Sequence, residues 1–281
     1  MTWDAINSAA DTIRARLPED LRPSLGLVLG SGLGAFADTL EDAVRVPYQD
    51  LQGFPVSTVE GHAGQFVIGR KKGVEIIAMQ GRVHGYEGFT PQQVAFPLRT
   101  MWKLGIQTVI LTNATGGVNP SYAPGDLMLI ADHINFTGKN PLTGPNDERF
   151  GTRFPPMGSL YTPELRELVK KVARYQGVKI HEGVYFGVNG PNYETAAEIR
   201  MIRAMGGDVV GMSTVHEAIV AKHLGVELIG ISCVTNKAEG LPGAVLDHND
   251  VQAVAAKSSA RFARLVDGIL EALPAHRGAQ S

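Results

Sequence analysis

Val74-Glu75-Ile76-Ile77-Ala78-Met79, running directly into Gln80-Gly81-Arg82-Val83-His84-Gly85-Tyr86-Glu87-Gly88, is the stretch from which the fold is best read. Its first half is a short apolar run of the kind that forms a buried strand. Its second half changes character: an Arg, a His and a Tyr arrive at alternate positions, spaced by residues small enough to let the backbone turn. In an extended segment alternate side chains point the same way. Arg82, His84 and Tyr86 are therefore expected to face one pocket, offering a fixed cation, a titratable donor and a phenol. A guanidinium suits phosphate or carboxylate oxygens best. On these residues alone, a surface loop with a salt-bridged Arg and a structural Tyr is an equal reading.

The same pattern, a strand running into glycines, recurs on both sides. Leu25-Gly26-Leu27-Val28-Leu29 reads as a buried strand and ends at Gly30-Ser31-Gly32-Leu33-Gly34; Thr108-Val109-Ile110-Leu111 ends at Thr112-Asn113-Ala114-Thr115-Gly116-Gly117. Phe66-Val67-Ile68 pairs with the Val74 run through a turn at Arg70-Lys71-Lys72-Gly73. Leu127 to Ile130, Asp208 to Met212 and Val226 to Val234 are further strands. Between them lie helices. Trp3, Ile6, Ile13 and Leu17 share one helical face, and Pro97 is expected to interrupt a helix from Pro91 to Leu104. Thr162-Pro163-Glu164 opens a helix, with Thr162 as its cap, that closes at Gly177. Thr195 to Glu198 and Thr214 to Glu217 have the spacing of capping boxes, and Val251 to Leu270 is a long terminal helix. This alternation predicts an α/β fold, one domain over 1–281, with a central mixed β-sheet flanked by helices. The polar stretch from Thr137 to Gly158 is long for a connection, and such loops are often functional.

Bulk properties narrow the classes. Hydrophobic residues at 44% and charged residues at 19% suit a globular protein whose 281 residues bury a large core. A net charge of -2 gives no general attraction for nucleic acid, so an anionic ligand needs a local site. No apolar run approaches the ~20 residues that span a bilayer. Met1-Thr2-Trp3-Asp4-Ala5-Ile6 lacks a basic start and a secretory apolar core. The single cysteine, Cys233, cannot form an internal disulfide and sits in an apolar run as a buried spacer. Together these predict a cytoplasmic protein with neither nucleic acid nor membrane as partner.

Read singly, each motif stays ambiguous. The Gly30 to Gly34 loop brings backbone amides and the Ser31 hydroxyl near an anion, or is simply a turn. Its spacing is not the G-x-G-x-x-G of a dinucleotide site. Asn113 to Gly117 ends a strand, where ligands gather in open α/β sheets, or is a turn. Ser213 precedes a helix and could cap it, bind an anion there, or do both. On its own Glu194 reads as a solvated residue before a helix, Asn236 as a turn residue, and His248 as a structural histidine.

Taken together, these stretches resemble the trimeric purine nucleoside phosphorylases. The likeness rests on Gln80 to Gly88, Gly30 to Gly34, Gly61-His62-Ala63-Gly64, Thr112 to Gly117, Gly144-Pro145-Asn146-Asp147-Glu148-Arg149-Phe150, Gly190-Pro191-Asn192-Tyr193-Glu194-Thr195, Gly211-Met212-Ser213-Thr214-Val215 and Thr235-Asn236-Lys237, in one order from about residue 25 to the last helix. The resemblance implies reversible phosphorolysis of purine nucleosides, with inorganic phosphate as co-substrate and no cofactor. It assigns phosphate to Ser31, His62, Arg82, His84, Ser213 and the Ala114 amide. It assigns ribose to Tyr86, Met212 and His248, and the base to Tyr193, Glu194, Thr235, Asn236, Lys237 and Thr115. His84, Glu194 and Asn236 carry the catalytic roles. Phe154 matches an aromatic that reaches into a neighbouring subunit, which implies a homotrimer. Relatives often have Ala where Thr115 stands, so a hydroxyl near the base is a departure. The loop before His248 also differs from theirs.

A carboxylate and an amide at the base suit a 6-oxopurine, since Glu194 accepts from ring N–H and Asn236 donates to a carbonyl oxygen. Methylthioadenosine phosphorylase, of the same superfamily, would instead carry an acid where Asn236 stands. A xanthosine-preferring phosphorylase is a further relative, and a non-catalytic nucleoside-binding protein is the rival from another class. There is no H-E-x-x-H, cysteine cluster or G-x-S-x-G, so no metal site and no serine hydrolase are expected.

Overall fold

The computed structural model describes residues 2–59, 61–244 and 248–278, with only the helix backbone described over 248–252 and 275–278. In chain order the elements are α1 (Trp3–Arg14), β1 (Leu25–Leu29), β2 (Glu41–Pro47), β3 (Gln65–Lys71), β4 (Val74–Gln80), α2 (Pro91–Val94), α3 (Phe96–Lys103), β5 (Thr108–Gly117), β6 (Leu127–Asn135), α4 (Pro163–Tyr175), β7 (Ile180–Gly187), α5 (Ala196–Ala204), β8 (Val209–Gly211), α6 (Val215–His223), β9 (Glu227–Lys237) and α7 (His248–Gly278).

The sheet is mixed and runs in the order β2-β3-β4-β1-β5-β8-β7-β6-β9, and β9 returns to pair with β5. Five strands thus close into a ring, and the other four extend from it as a twisted leaf. β1 lies parallel to β4 and β5, and β5 parallel to β9, so the carboxyl ends of these four strands converge. Both faces of the leaf are covered. Ile6 and Ile13 of α1, Leu98 and Met101 of α3 and Ala218 of α6 pack on one side with Val28; Leu165 and Val169 of α4 and Phe262, Leu265 and Ile269 of α7 pack on the other with Leu27 and Leu29. A strand buried on both faces has no polar alternation, which is why these strands read as unbroken apolar runs. Among the described residues no helix is long and apolar enough to cross a membrane.

Several local expectations hold for the stated reasons. Lys72 (φ 53°) and Gly73 (φ 73°) form a two-residue hairpin turn with both central residues left-handed, the twist that suits β3 and β4. Pro97 splits the helical stretch into α2 and α3 and takes a first-turn position in the second. Three readings change. The segment from Asn113 to Gly117, read as a turn beyond a strand, is itself strand, paired along its length with β9. Thr162 holds the cap position of α4 as expected, but its hydroxyl makes no capping bond and instead accepts from the Leu228 amide of β9 at 3.1 Å. β2 and β7 are strands that the sequence pattern does not announce. β2 is an exposed edge, and β7 mixes buried and half-exposed positions without clean alternation.

Candidate active site

The site lies along an interrupted strand edge. One edge of β5 is held by β9. The other pairs with β1 only as far as Leu111 and with β8 only from Gly116. Strand pairing is therefore missing over 112–115, and a cleft with about 760 Å³ of free space, partly open to solvent, occupies the gap. Gly30 permits the close approach of β1 here: a Cβ on it would stand 2.9 Å from both the Asn113 Cα and the Thr112 carbonyl oxygen.

One end of the cleft is cationic. Gly81 takes φ 100°, and this turns the chain at the end of β4 so that Arg82 enters the interior, where it is only 2% exposed. Its Nη1 donates to Ser213 Oγ at 3.1 Å and lies 3.5 Å from Thr214 Oγ1. Its Nε stands 3.1 Å from Glu217 Oε1, an ion pair not aligned as a hydrogen bond. Among the described residues its Nη2 has no hydrogen-bond partner. Thr214 has φ 71° and ψ -46°, and the Val215 amide donates back to the Ser213 carbonyl at 2.7 Å. This is the rare strained form of the γ-turn. Four groups hold it. Glu217 Oε2 accepts from the Thr214 amide at 3.0 Å, Asn113 Nδ2 donates to Thr214 Oγ1 at 2.8 Å, and the Tyr185 hydroxyl clasps Ser213, accepting from its amide and donating to its carbonyl. The fourth is Arg82. The turn presents the Ser213 hydroxyl at the start of α6, where the helix dipole favours an anion. Thr214, not Ser213, occupies the cap position.

Two histidines flank this end. His62 Nδ1 lies 2.7 Å from the Arg82 carbonyl and 3.2 Å from the Arg82 amide, and Nε2 faces Ser31 Oγ at 3.4 Å. Burial, and then the neighbouring His84, lower the His62 pKa to about 4. His84 Nδ1 lies 3.0 Å from Glu87 Oε1. Burial would raise the Glu87 pKa, but hydrogen bonds from His84 and from the Thr58 amide and hydroxyl outweigh it and bring the value to about 2. An ionised Glu87 fixes the His84 tautomer and leaves Nε2 as its free polar atom. The His84 and Tyr86 rings stack at 4.7 Å, and burial raises the Tyr86 pKa to about 12. The segment is extended through His84, but Gly85–Glu87 then closes a 3-10 turn, so Tyr86 reaches the cleft by that turn rather than by strand alternation.

The other end is built by β9. The register with β5 shifts between Thr115 and Gly116, so that Thr115 opposes Val234 and Gly116 opposes Asn236. Thr235 is the extra residue of a bulge, which re-aims Thr235 and Asn236 into the cleft. Asn236 Oδ1 accepts from Thr235 Oγ1 at 3.0 Å and its Nδ2 donates to the Lys237 carbonyl at 3.0 Å. That leaves one N–H for a ligand. The Thr115 hydroxyl donates to the Cys233 carbonyl at 3.3 Å, so it is already satisfied by the protein. Glu194 is half-buried, and burial raises its pKa, with a smaller push from Glu198.

The cleft thus brings together Ser31, Arg82, His84, Tyr86, Ala114, Thr115, Tyr193, Glu194, Met212, Ser213, Thr235 and Asn236. His62 stands behind Ser31, and Lys237 supplies a carbonyl rather than lining the wall. Phe154 is elsewhere, 84% exposed on the long connection before α4. The His248 side chain lies outside the described residues. Sequence reasoning missed Asn113, Glu87 and Glu217 as supports of the site. Glu217 was visible only as the last residue of a capping box, which accounts for one of its oxygens and hides the other.

The comparisons agree with this geometry. Residues 24–271 match the model of the phosphorylase superfamily. The chain is 52% identical over 270 residues to purine nucleoside phosphorylase 1 of Geobacillus stearothermophilus, covering 96% of this chain and 98% of that one. The purine nucleoside phosphorylase of Schistosoma mansoni in complex with adenosine has a TM-score of 0.91 at 38% identity, covering 97% of this chain and 98% of that one. The same organism's enzyme in complex with inosine has a TM-score of 0.90 at 36% identity, covering 96% of each. The chain belongs to the phosphorylase superfamily and, within it, to the purine nucleoside phosphorylases. It is a pentosyltransferase, and the reading as a non-catalytic nucleoside-binding protein falls.

Proposed function

We propose that this enzyme carries out reversible phosphorolysis of 6-oxopurine ribo- and deoxyribonucleosides, giving the free purine and (deoxy)ribose 1-phosphate. The observation that carries this reading is Arg82: a nearly fully buried guanidinium whose Nη2 has no hydrogen-bond partner among the described residues, at one end of a cleft whose other end holds Glu194 and the spare N–H of Asn236. Phosphate sits with Ser31, Arg82, His84, Ser213 and the Ala114 amide, beneath C1′. Holding it there replaces a bimolecular encounter with a positioned one. Tyr86 and Met212 flank the ribose, with His248 at its 5′ end. Tyr193 covers the base, Glu194 accepts from its ring N–H, and the spare N–H of Asn236 is shared between N7 and O6. Thr115, Thr235 and Lys237 support that end.

Cleavage of the glycosidic bond leaves positive charge on the sugar and negative charge on the purine. The donor of Asn236 bonds the purine more strongly as that charge grows, which lowers the barrier. Direct attack by phosphate inverts C1′ and needs neither a covalent enzyme intermediate nor a cofactor. The active form is a homotrimer in which Phe154 of one subunit closes the ribose end of the next. Its near-complete exposure supports this, as does the apolar groove of Phe136, Val188 and Met201 beside Glu194. A cytoplasmic setting fits the single buried cysteine.

The test is base release from inosine, guanosine, xanthosine and adenosine, with and without phosphate. Adenosine belongs in the panel because the Schistosoma mansoni relative has been solved with it. Inosine and guanosine cleavage that stops without phosphate or arsenate is expected. Equal release in phosphate-free buffer would make the enzyme a nucleosidase and overturn the mechanism.

A further inference from the structure

We infer that Glu217 is a positioning residue for phosphate, acting through Arg82 and the strained turn at Thr214; this rests on the reading that phosphate binds at Arg82 and Ser213. Glu217 is 1% exposed, yet its two oxygens go to different parts of the site. Oε1 stands 3.1 Å from Arg82 Nε, and Oε2 accepts from the Thr214 amide at 3.0 Å. One carboxylate thus sets two phosphate ligands. It holds the guanidinium by its Nε edge, which leaves Nη1 for Ser213 and, among the described residues, Nη2 without a hydrogen-bond partner. It also holds the turn that presents the Ser213 hydroxyl.

A helix cap needs only a neutral acceptor. Nor does capping require burial beside a cation, and a buried carboxylate is costly to desolvate. The ion pair with Arg82 accounts for both. Protein kinases follow the same logic, pairing their phosphate-contacting lysine with a helix glutamate, and both must be in place for activity.

Two effects of removing the charge have opposite signs. Glu217→Gln keeps an acceptor for the Thr214 amide but turns an NH₂ towards Arg82 Nε, opposing two donors and releasing the guanidinium from its set. This raises the KM for phosphate. Loss of a negative charge near the anion alone would lower that KM. We place positioning first, because the direction in which Nη2 points depends on where Nε is held. The expected rise is on the order of 10- to 100-fold, the range controlled by residues that orient a ligating group. The KM for inosine stays near that of the unmodified enzyme.

The experiment compares Glu217→Gln, Glu217→Asp, Arg82→Ala and the double variant Glu217→Gln/Arg82→Ala, reading kcat, both KM values and the melting temperature. Glu217→Asp keeps the charge and recovers part of the phosphate KM. In the Arg82→Ala background the Glu217→Gln effect on phosphate shrinks to what the turn alone contributes. Arg82→Ala with undiminished phosphate use would sink the phosphate reading itself. A phosphate KM that is unchanged or lowered in Glu217→Gln, while Arg82→Ala is impaired, would sink only the role of Glu217. So would equal changes in both KM values, which indicate general loosening. If Glu217→Gln does not fold, Glu217→Asp with and without Arg82 carries the same comparison.

Discussion

Replacing Asn236 by Asp should erode the preference for inosine over adenosine, and the surrounding bonds say by how much. The amide has two N–H groups and one oxygen. The oxygen accepts from Thr235 and one N–H goes to the Lys237 carbonyl, so the remaining N–H is what the base meets. It suits the O6 and N7 acceptors of a 6-oxopurine, whereas a 6-amino group presents donors to it. A site arranged in this way rejects the mismatched analogue by as much as about 10⁴–10⁵. Asn236→Asp removes the donor and sets a carboxylate oxygen against the Lys237 carbonyl. Loss of one donor aimed at developing charge costs about 10²–10³ in kcat, so inosine turnover should fall by that factor. Adenosine should fall less, because the carboxylate accepts from the 6-amino group and, once protonated, still donates to N7. The assay is kcat/KM for both nucleosides at saturating phosphate, with circular dichroism to confirm folding. An unchanged inosine-to-adenosine ratio in a folded variant would mean that Asn236 does not read the base.

Phe154→Ala should raise the KM for inosine while leaving the fold intact, because a side chain so exposed adds little to the stability of its own subunit. A fully active monomer in sedimentation would refute the assignment to a neighbour's site. Stability should fall as pH drops from about 6.5 to about 4, because His62 is held neutral in the fold with a pKa near 4 and takes a proton more readily once unfolded. His62→Asn should reduce the slope of melting temperature against pH over that window, the remainder coming from His216, whose pKa burial also lowers to about 4, and an unaltered slope would show that His62 is not linked to unfolding.

Strands β1, β4 and the first half of β5 were legible because they are buried and so appear as apolar runs leading into glycines. What lay outside that pattern was hidden. β2 is an exposed edge, and β7 belongs to the closed ring, where half-exposed His181 and exposed Glu182 break the periodicity. The strand over 112–117 was hidden for the opposite reason. Its polar and glycine residues read as a turn, although β9 pairs with them throughout.

The candidate site was legible where a residue's chemistry shows on its own. Arg82 and His84 stand out at the end of an apolar run, whereas Asn236 reads by itself as a turn residue and comes to the base only through the family resemblance. The supports were not legible, because their sequence signals have sufficient local explanations. Thr214 and Glu217 have the spacing of a capping box, and nothing in that spacing announces φ 71° at Thr214 or a guanidinium 3.1 Å from the other carboxylate oxygen. Glu87 is in the same position: it lies three residues after His84, and only the folded chain brings Ser57 and Thr58 to it. Each of these carboxylates joins a local bond to a distant one, and the distant partner orients the group that meets the ligand. The long-range half of such a pair has no fixed spacing to read. A physical reading of the sequence therefore finds the residues that would touch substrate before it finds those that aim them.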